Sequence, residues 1–188
     1  MAVRLDLLAH GATAATRLAR FPDDESLDAT AVGAKFRASQ AYDRVLTSPG
    51  RAAVETAQAL GVDSSIDPML RDCDYGRWRG QRSRNVAQNE PESFAVWLSD
   101  PNATPHDGES VASLVERLKT WLDAGLLRDG AVLAITHAPV VRASVVAALG
   151  LPNSAFWRID VAPLSFVRMS GRAERWNLSA LGPWDLRP

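Results

Sequence analysis

The sequence predicts a three-layer α/β/α domain with a mostly parallel central sheet. Three segments share the pattern that predicts it: a short apolar run, a polar tip, then a helical stretch. They are Val3 to Ala9 ending in His10-Gly11, Arg44-Val45-Leu46 ending in Thr47-Ser48-Pro49, and Ala131 to Ile135 ending in Thr136-His137-Ala138-Pro139. Short apolar runs bounded by turn residues fit buried strands. Strands that alternate with helices build parallel sheets. The 188 residues suffice for one domain, 1–188, with a sizeable core.

The helices have readable ends. Ser48 is a candidate N-cap, with Pro49 at the first helical position, Ala52 to Leu60 following, and Gly61 closing the helix. Pro139 opens another helix that runs to Gly150. From Ser110 to Asp123, the residues Val111, Leu114, Val115, Leu118 and Leu122 share one face, the mark of an amphipathic helix docked on a core. Residues 28–40 are expected to add a further helix. Residues 71–105, with Gly76, Gly80, Pro91, Pro101 and Pro105, read as an irregular stretch with short helices, placed to cover a site. Near the end, Trp157 to Val161 and Leu164 to Met169 read as strands, Ser170-Gly171 as a turn, and Ala173 to Leu178 as the returning arm of a hairpin.

Composition narrows the function classes. The hydrophobic share of 46% is ordinary for a globular protein, and the net charge of −1 gives no field that attracts nucleic acid or a membrane surface. No apolar run is long enough to span a bilayer. Cys73 is the single cysteine, so no internal disulfide forms, which suits a cytoplasmic location. Trp97, Trp157 and Trp184 fit the core margin or an interface, and a homo-oligomer stays open.

The chemistry is expected at the carboxyl ends of the strands, where open α/β sheets bind ligands. His10 and His137, two of the three histidines, stand at such tips with helices soon after. Helix N-termini favour anions. Two imidazoles converging there suit a phosphoryl group, one ring attacking phosphorus and the other bonding its oxygens. His106, in Pro105-His106-Asp107-Gly108, reads as a surface-loop residue. No metal-ligand cluster stands out, and no cofactor is expected.

Five blocks then resemble, in order, the signatures of the histidine phosphatase superfamily, the phosphoglycerate mutase-like proteins. Leu8-Ala9-His10-Gly11-Ala12-Thr13 resembles Arg-His-Gly-Glu-Thr. The stretch from Leu46 to Ala57 resembles Ser-Pro-Leu-x-Arg-Ala-x-x-Thr-Ala. Leu70 to Gly80 resembles Leu-x-Glu-x-x-x-Gly-x-Trp-x-Gly, Asp107 to Ser110 a Gly-Glu-Ser, and Ala134 to Ala138 a Val-x-His-Gly. The resemblance implies that His10 is a nucleophile forming a phosphohistidine and that His137 is the second site histidine. It implies that Asp72 stands for a glutamate that protonates the leaving oxygen; a solvated loop acid is the alternative. Gly11, Thr13, Ser48, Arg51 and Ala138 are the expected substrate-binding positions, and the partner is a small phosphorylated molecule or other anion.

Set against these signatures, the chain departs at the arginines. Both clamp positions are alanine, Ala9 and Ala52, and alanine cannot neutralise phosphate oxygens as a guanidinium does. Ala12 replaces the signature glutamate, and Ala138 a glycine. Arg51 is a candidate substitute, about 100° around the helix from residue 52. Arg71, Arg77, Arg79, Arg82 and Arg84 form a second candidate source of charge, with Arg17, Arg20 and Arg142 behind them. Three readings therefore stand: a divergent phosphomonoesterase, a binding or regulatory module that has lost turnover, and other acid–base chemistry in the same cleft.

Overall fold

The computed structural model describes residues 3–28, 41–124, 129–172 and 175–183. Strand β1 is Val3–Ala9, followed by the short helix α1, Ala14–Leu18. β2 (Arg44–Thr47) leads into α2 (Arg51–Leu60) and the short β3 (Ser65–Ile66). Then come α3 (Ser83–Asn89), α4 (Pro91–Ser99), α5 (Val111–Asp123), β4 (Gly130–Thr136) and α6 (Ala138–Leu149). β5 (Ser165–Arg172) and β6 (Arg175–Pro183) complete the order.

The six strands form one sheet in the order β3-β2-β4-β1-β5-β6. The first four are parallel, and β5 and β6 run antiparallel at one side. Parallel strands need both faces covered, and alternate residues divide accordingly. Leu5, Leu7, Val132 and Ala134 pack with Leu114, Leu118, Val141 and Val145 of α5 and α6. Leu8, Leu133 and Ile135 pack with Ala53, Ala57 and Leu60 of α2. The predicted three-layer architecture is the observed one. The apolar run of β1 is broken by Asp6, which is fully buried and satisfied: Arg168 donates to its two oxygens at 2.7 and 2.8 Å, and the Tyr42 hydroxyl donates at 2.6 Å.

Several local expectations are corrected. Ser48 is not the cap of α2; the helix starts at Arg51 behind Gly50, and Pro49 lies outside it. The Ser48 hydroxyl accepts from the Gly50 N–H, ahead of the helix, rather than from an N–H within it. Gly61 closes α2 in the left-handed conformation, as read. Trp157 to Val161 is not a strand: Asn153–Arg158 coil into a 3₁₀ turn that buries Phe156 beneath Arg142. Ser170 and Gly171 are strand residues paired with Asn177 and Trp176, and the chain reverses between Arg172 and Arg175. Gly171 is needed there because a Cβ would lie 2.7 Å from the Trp176 ring. The helix expected over 28–40 falls, apart from Asp28, outside the described residues, as does Trp184.

Residues 71–105 are less irregular than expected. After a 3₁₀ turn at Gly76–Trp78 they carry α3 and α4, and an aromatic cluster ties them down. Trp78 is fully buried between Phe21, Phe94, Trp97 and His106, at ring separations of 5.1–6.1 Å. His106 is therefore no surface residue: it is fully buried, with Nδ1 accepting from the Gly108 N–H at 3.0 Å. Its loop presses on the turn at residue 76, where a Cβ would meet the His106 carbonyl at 2.0 Å.

Candidate active site

Strand register builds the centre. Ala9 pairs with Thr136 across β1 and β4, and Thr47 pairs with Ile135 across β2 and β4. The next residues along, His10, His137 and Ser48, therefore emerge side by side. The ladder continues past the strand ends, with the His10 N–H donating to Thr136 O at 2.8 Å and the Ser48 N–H to Ile135 O at 2.9 Å. The two imidazoles meet edge to face with centroids 5.0 Å apart.

The His10 ring is held in one tautomer. His10 Nδ1 lies 2.7 Å from the Gly11 carbonyl, an acceptor only, so Nδ1 carries the proton and Nε2 is left with a lone pair. The Gly11 carbonyl is set by its own residue: the Gly11 N–H donates to the Thr56 hydroxyl on α2 at 3.1 Å, and that hydroxyl donates to Ala52 O at 2.6 Å. Burial, helped by the neighbouring His137, holds His10 below the usual histidine value. His137 is pushed down to about 4, chiefly by burial, so it is a neutral ring near pH 7. The Ser48 hydroxyl accepts from the Gly50 N–H at 3.1 Å and is hydrogen-bonded to His137 Nε2 at 2.7 Å. His137 Nδ1 lies 3.3 Å from Asp72 Oδ2 but off the line of a hydrogen bond.

Asp72 reaches the centre on a fixed loop. The Thr136 hydroxyl donates to Leu70 O at 2.7 Å. Arg117, buried on α5, donates to the carbonyls of Met69, Arg71 and Asp72 at 2.5–3.3 Å, and its charge is matched by both Glu109 oxygens at 2.8 Å. Burial raises the Asp72 carboxyl to about 6, against the opposing N–H of Cys73. Asp72 is thus no freely solvated loop acid.

A cavity of about 370 Å³ opens over His10, His137 and Asp72, with Thr13, Gly50 and Ala52 in its wall and Asp23, Asp24, Glu25, Asp74, Arg71 and Arg79 around it. A smaller apolar lobe of about 140 Å³ shares His10, Thr13, Asp72 and His137 and runs past Ala9, Tyr75, Ala138 and Val161. Of the expected site positions, His10, His137, Asp72, Thr13 and Ala138 line this space. Ser48 does not: it is fully buried and acts on His137. Gly11 acts on His10. Arg51 is exposed, and only its backbone N–H enters the site, donating to Asp24.

Arg82 and Arg84 line neither cavity, and the other candidate arginines are engaged. Arg17 pairs with Asp28, Arg20 with Glu25 at 3.3 Å, Arg77 with Glu90 at 2.5 Å, and Arg79 with Asp74 at 2.9 Å. Arg71 leans on Glu109 at 3.5 Å, and Arg142 lies over Phe156. Sequence reasoning missed Arg117, Thr136 and Asp24. A cation on the apolar face of α5 was the one available signal, since only a paired charge survives there.

The class this defines is an α/β domain with two histidines at adjacent parallel strand tips and a carboxyl facing them. The family model of the histidine phosphatase superfamily (branch 1) matches residues 7–182, and the chain belongs to that family. Phosphoserine phosphatase 1 of Hydrogenobacter thermophilus is 30% identical over 125 residues, 64% of this chain and 59% of that protein. The adenosylcobalamin/alpha-ribazole phosphatase of Salmonella typhimurium is 30% identical over 128 residues, 64% of this chain and 63% of that one. The chain thus spans less than two thirds of the length of these curated relatives. Among solved structures, the alpha-ribazole phosphatase of Shigella flexneri has the same fold, with a TM-score of 0.81 at 19% identity over 98% of this chain and 100% of that one.

Proposed function

We propose that the chain is a divergent phosphomonoesterase that works through a phosphohistidine on a small phosphorylated metabolite. The observation that carries this reading is the His10 ring, pinned through Nδ1 to the Gly11 carbonyl so that the Nε2 lone pair is free beside the cavity. Nε2 attacks phosphorus, and the bond to the leaving oxygen breaks. Asp72, held to about 6, gives that oxygen its proton. Water then attacks the phosphohistidine, losing a proton to Asp72, and phosphate leaves. With the Ser48 hydroxyl donating to Nε2, His137 offers its Nδ1–H to a phosphoryl oxygen. The relatives' names, phosphoserine and alpha-ribazole phosphatases, support phosphomonoesters as the substrate class.

Both residues at the clamp positions, Ala9 and Ala52, line the site and bring no charge to it. Absence of one preorganised stabiliser typically costs about a hundred- to thousandfold in rate. Turnover is accordingly expected to be slow. A binding module without turnover is the second reading, favoured by those two alanines.

The test is phosphate release over a panel of phosphomonoesters that includes phosphoserine and α-ribazole phosphate, with wild type and His10→Ala. Release that drops by at least about a thousandfold in the variant is expected. Equal release from both proteins removes His10 from the mechanism, and silence from a folded wild type turns the reading toward the binding module.

A further inference from the structure

Asp24 lies in the loop after α1, at φ +56°, in the left-handed region that aspartate enters more readily than most non-glycine residues. Its side chain is tied to the next helix. Asp24 Oδ1 accepts from the Arg51 N–H, the first of α2, at 2.7 Å. The Gly50 N–H is already taken by Ser48. A ten-residue helix therefore opens into the cavity with a carboxylate of its own chain on its first turn. That end is where the partial positive charge of a helix favours an anion.

A second observation points to a ligand in the same cavity. His137 is only 7% exposed and lines the cavity, and its Nδ1, 3.3 Å from Asp72 Oδ2, makes no hydrogen bond. The cavity thus presents an anion seat that is filled from within and a buried ring nitrogen that is not hydrogen-bonded. No guanidinium from positions 9 or 52 competes for incoming charge. Arg71 and Arg79, the cations that line this cavity, answer Glu109 and Asp74.

We propose that the Asp24 carboxylate is a resident anion that occupies the seat of a phosphoryl oxygen at the start of α2, so that a phosphorylated ligand binds only by displacing it. Asp24 is then a specificity-determining residue: it makes inorganic phosphate a weak ligand, and only a substrate with further contacts offsets the displacement. The displaced segment is short. Glu25 stays anchored through Arg20 and through the Asp23 N–H at 3.0 Å, so the carboxylate swings while the loop keeps its path. The inference rests on the reading of the site as one that accepts phosphoryl groups.

The experiment is titration of inorganic phosphate, by calorimetry, into wild type, Asp24→Asn, Asp24→Gly and Asp23→Asn. Asparagine tolerates the left-handed conformation and keeps an acceptor for the Arg51 N–H, and glycine removes the group altogether, so each guards against a folding artefact in the other. Both Asp24 variants are expected to bind phosphate at least about tenfold more tightly, as a charge-assisted contact to the helix start is freed. Asp23→Asn removes the same charge one residue away and is expected to change affinity less than about threefold. Asp24 variants that match Asp23→Asn, or phosphate binding undetectable in all four proteins, would overturn the inference. Hydrolysis is read separately. Tighter phosphate binding without hydrolysis of any monoester keeps the inference and removes the phosphatase reading. Hydrolysis by wild type with unresponsive phosphate affinity does the reverse.

Discussion

His10 and His137 stand on adjacent strands in register, whereas Asp23, Asp24, Arg71 and Arg79 stand on loops that cross the mouth of the same cavity. The first pair is placed by backbone hydrogen bonds of the sheet, which no side-chain change at the rim disturbs. The second set is placed by side-chain pairs: Asp24 on a helix N–H, Arg79 on Asp74, Arg71 leaning on Glu109. A ladder of buried backbone bonds gives a rigid centre, and exposed pairs give a rim that rearranges at little cost. On the proposed function, chemistry belongs to the centre and selection to the rim. Substitutions that respect or cross this division test it.

After His10→Ala, the largest effect is expected at Asp72, which belongs to the centre although a loop carries it. Asp72→Asn keeps the shape and removes the proton, so kcat/KM falls by about a hundredfold or more. Wild-type activity should decline as pH rises past about 6, where Asp72 loses the proton it donates. Stability moves the other way. The unfolded carboxyl ionises near 3.8 and the folded one near 6, so the fold holds its proton more tightly across that window. Wild-type stability is reduced progressively over that interval and stays reduced above it. Asparagine has nothing to ionise, so the variant should be more stable than wild type by roughly 1–3 kcal/mol at pH 7, with the gain absent near pH 3. Urea unfolding at both values measures it. Equal stability at pH 7 would mean that Asp72 is an ordinary solvated acid.

Much of this division was legible in the sequence. Apolar runs ending in His10, Ser48 and His137 gave the strands and the tips, because parallel buried strands are dense in aliphatic residues and their helices start at once. The helix ends at Gly61 and Gly150 followed from glycine's freedom in the left-handed region, where both lie at φ +67° and +60°. The Ser48 cap failed because a serine before a helix is read locally, while its real partner, His137, is 89 positions away. His106 was misread because a Pro-His-Asp-Gly string looks like a turn whatever packs against it, here the indole of Trp78. The Trp157 to Val161 strand failed for a related reason: large apolar residues also fill a 3₁₀ turn. The rim pairs were out of reach, since they join loops distant in sequence.

Next in size is Gly50→Ala, which presses the rim against the centre. A Cβ there would stand 2.7 Å from His137 Cε1 and 2.8 Å from Nε2, closer than real contacts allow. Either the ring tilts away from Ser48 or the start of α2 shifts. Both outcomes disturb the His137 tautomer, and kcat should fall about tenfold with KM little changed. The fold should lose only about 1 kcal/mol, because the strain sits beside an open cavity. Unchanged kcat would show that the second imidazole is not held to its position for catalysis.

The smallest effect is expected at Arg79, and it bears most directly on whether a rim arginine serves the proposed phosphoryl site. The guanidinium is about half exposed and pairs with a carboxylate that is about half exposed as well, at 2.9 Å. Such pairs contribute roughly 0–1 kcal/mol. If selection alone belongs to the rim, Arg79→Ala should leave kcat within about threefold of wild type, and the change should appear in KM and shrink as salt rises. A hundredfold loss of kcat would have another meaning: Arg79 would be leaving Asp74 to stabilise the transferring phosphoryl group, and a mobile rim arginine would be doing the work for which alanines 9 and 52 are unsuited. The ratio of the two kinetic parameters, measured at low and high salt, separates these cases, because an interaction made only in the transition state changes kcat whatever the affinity of the resting site.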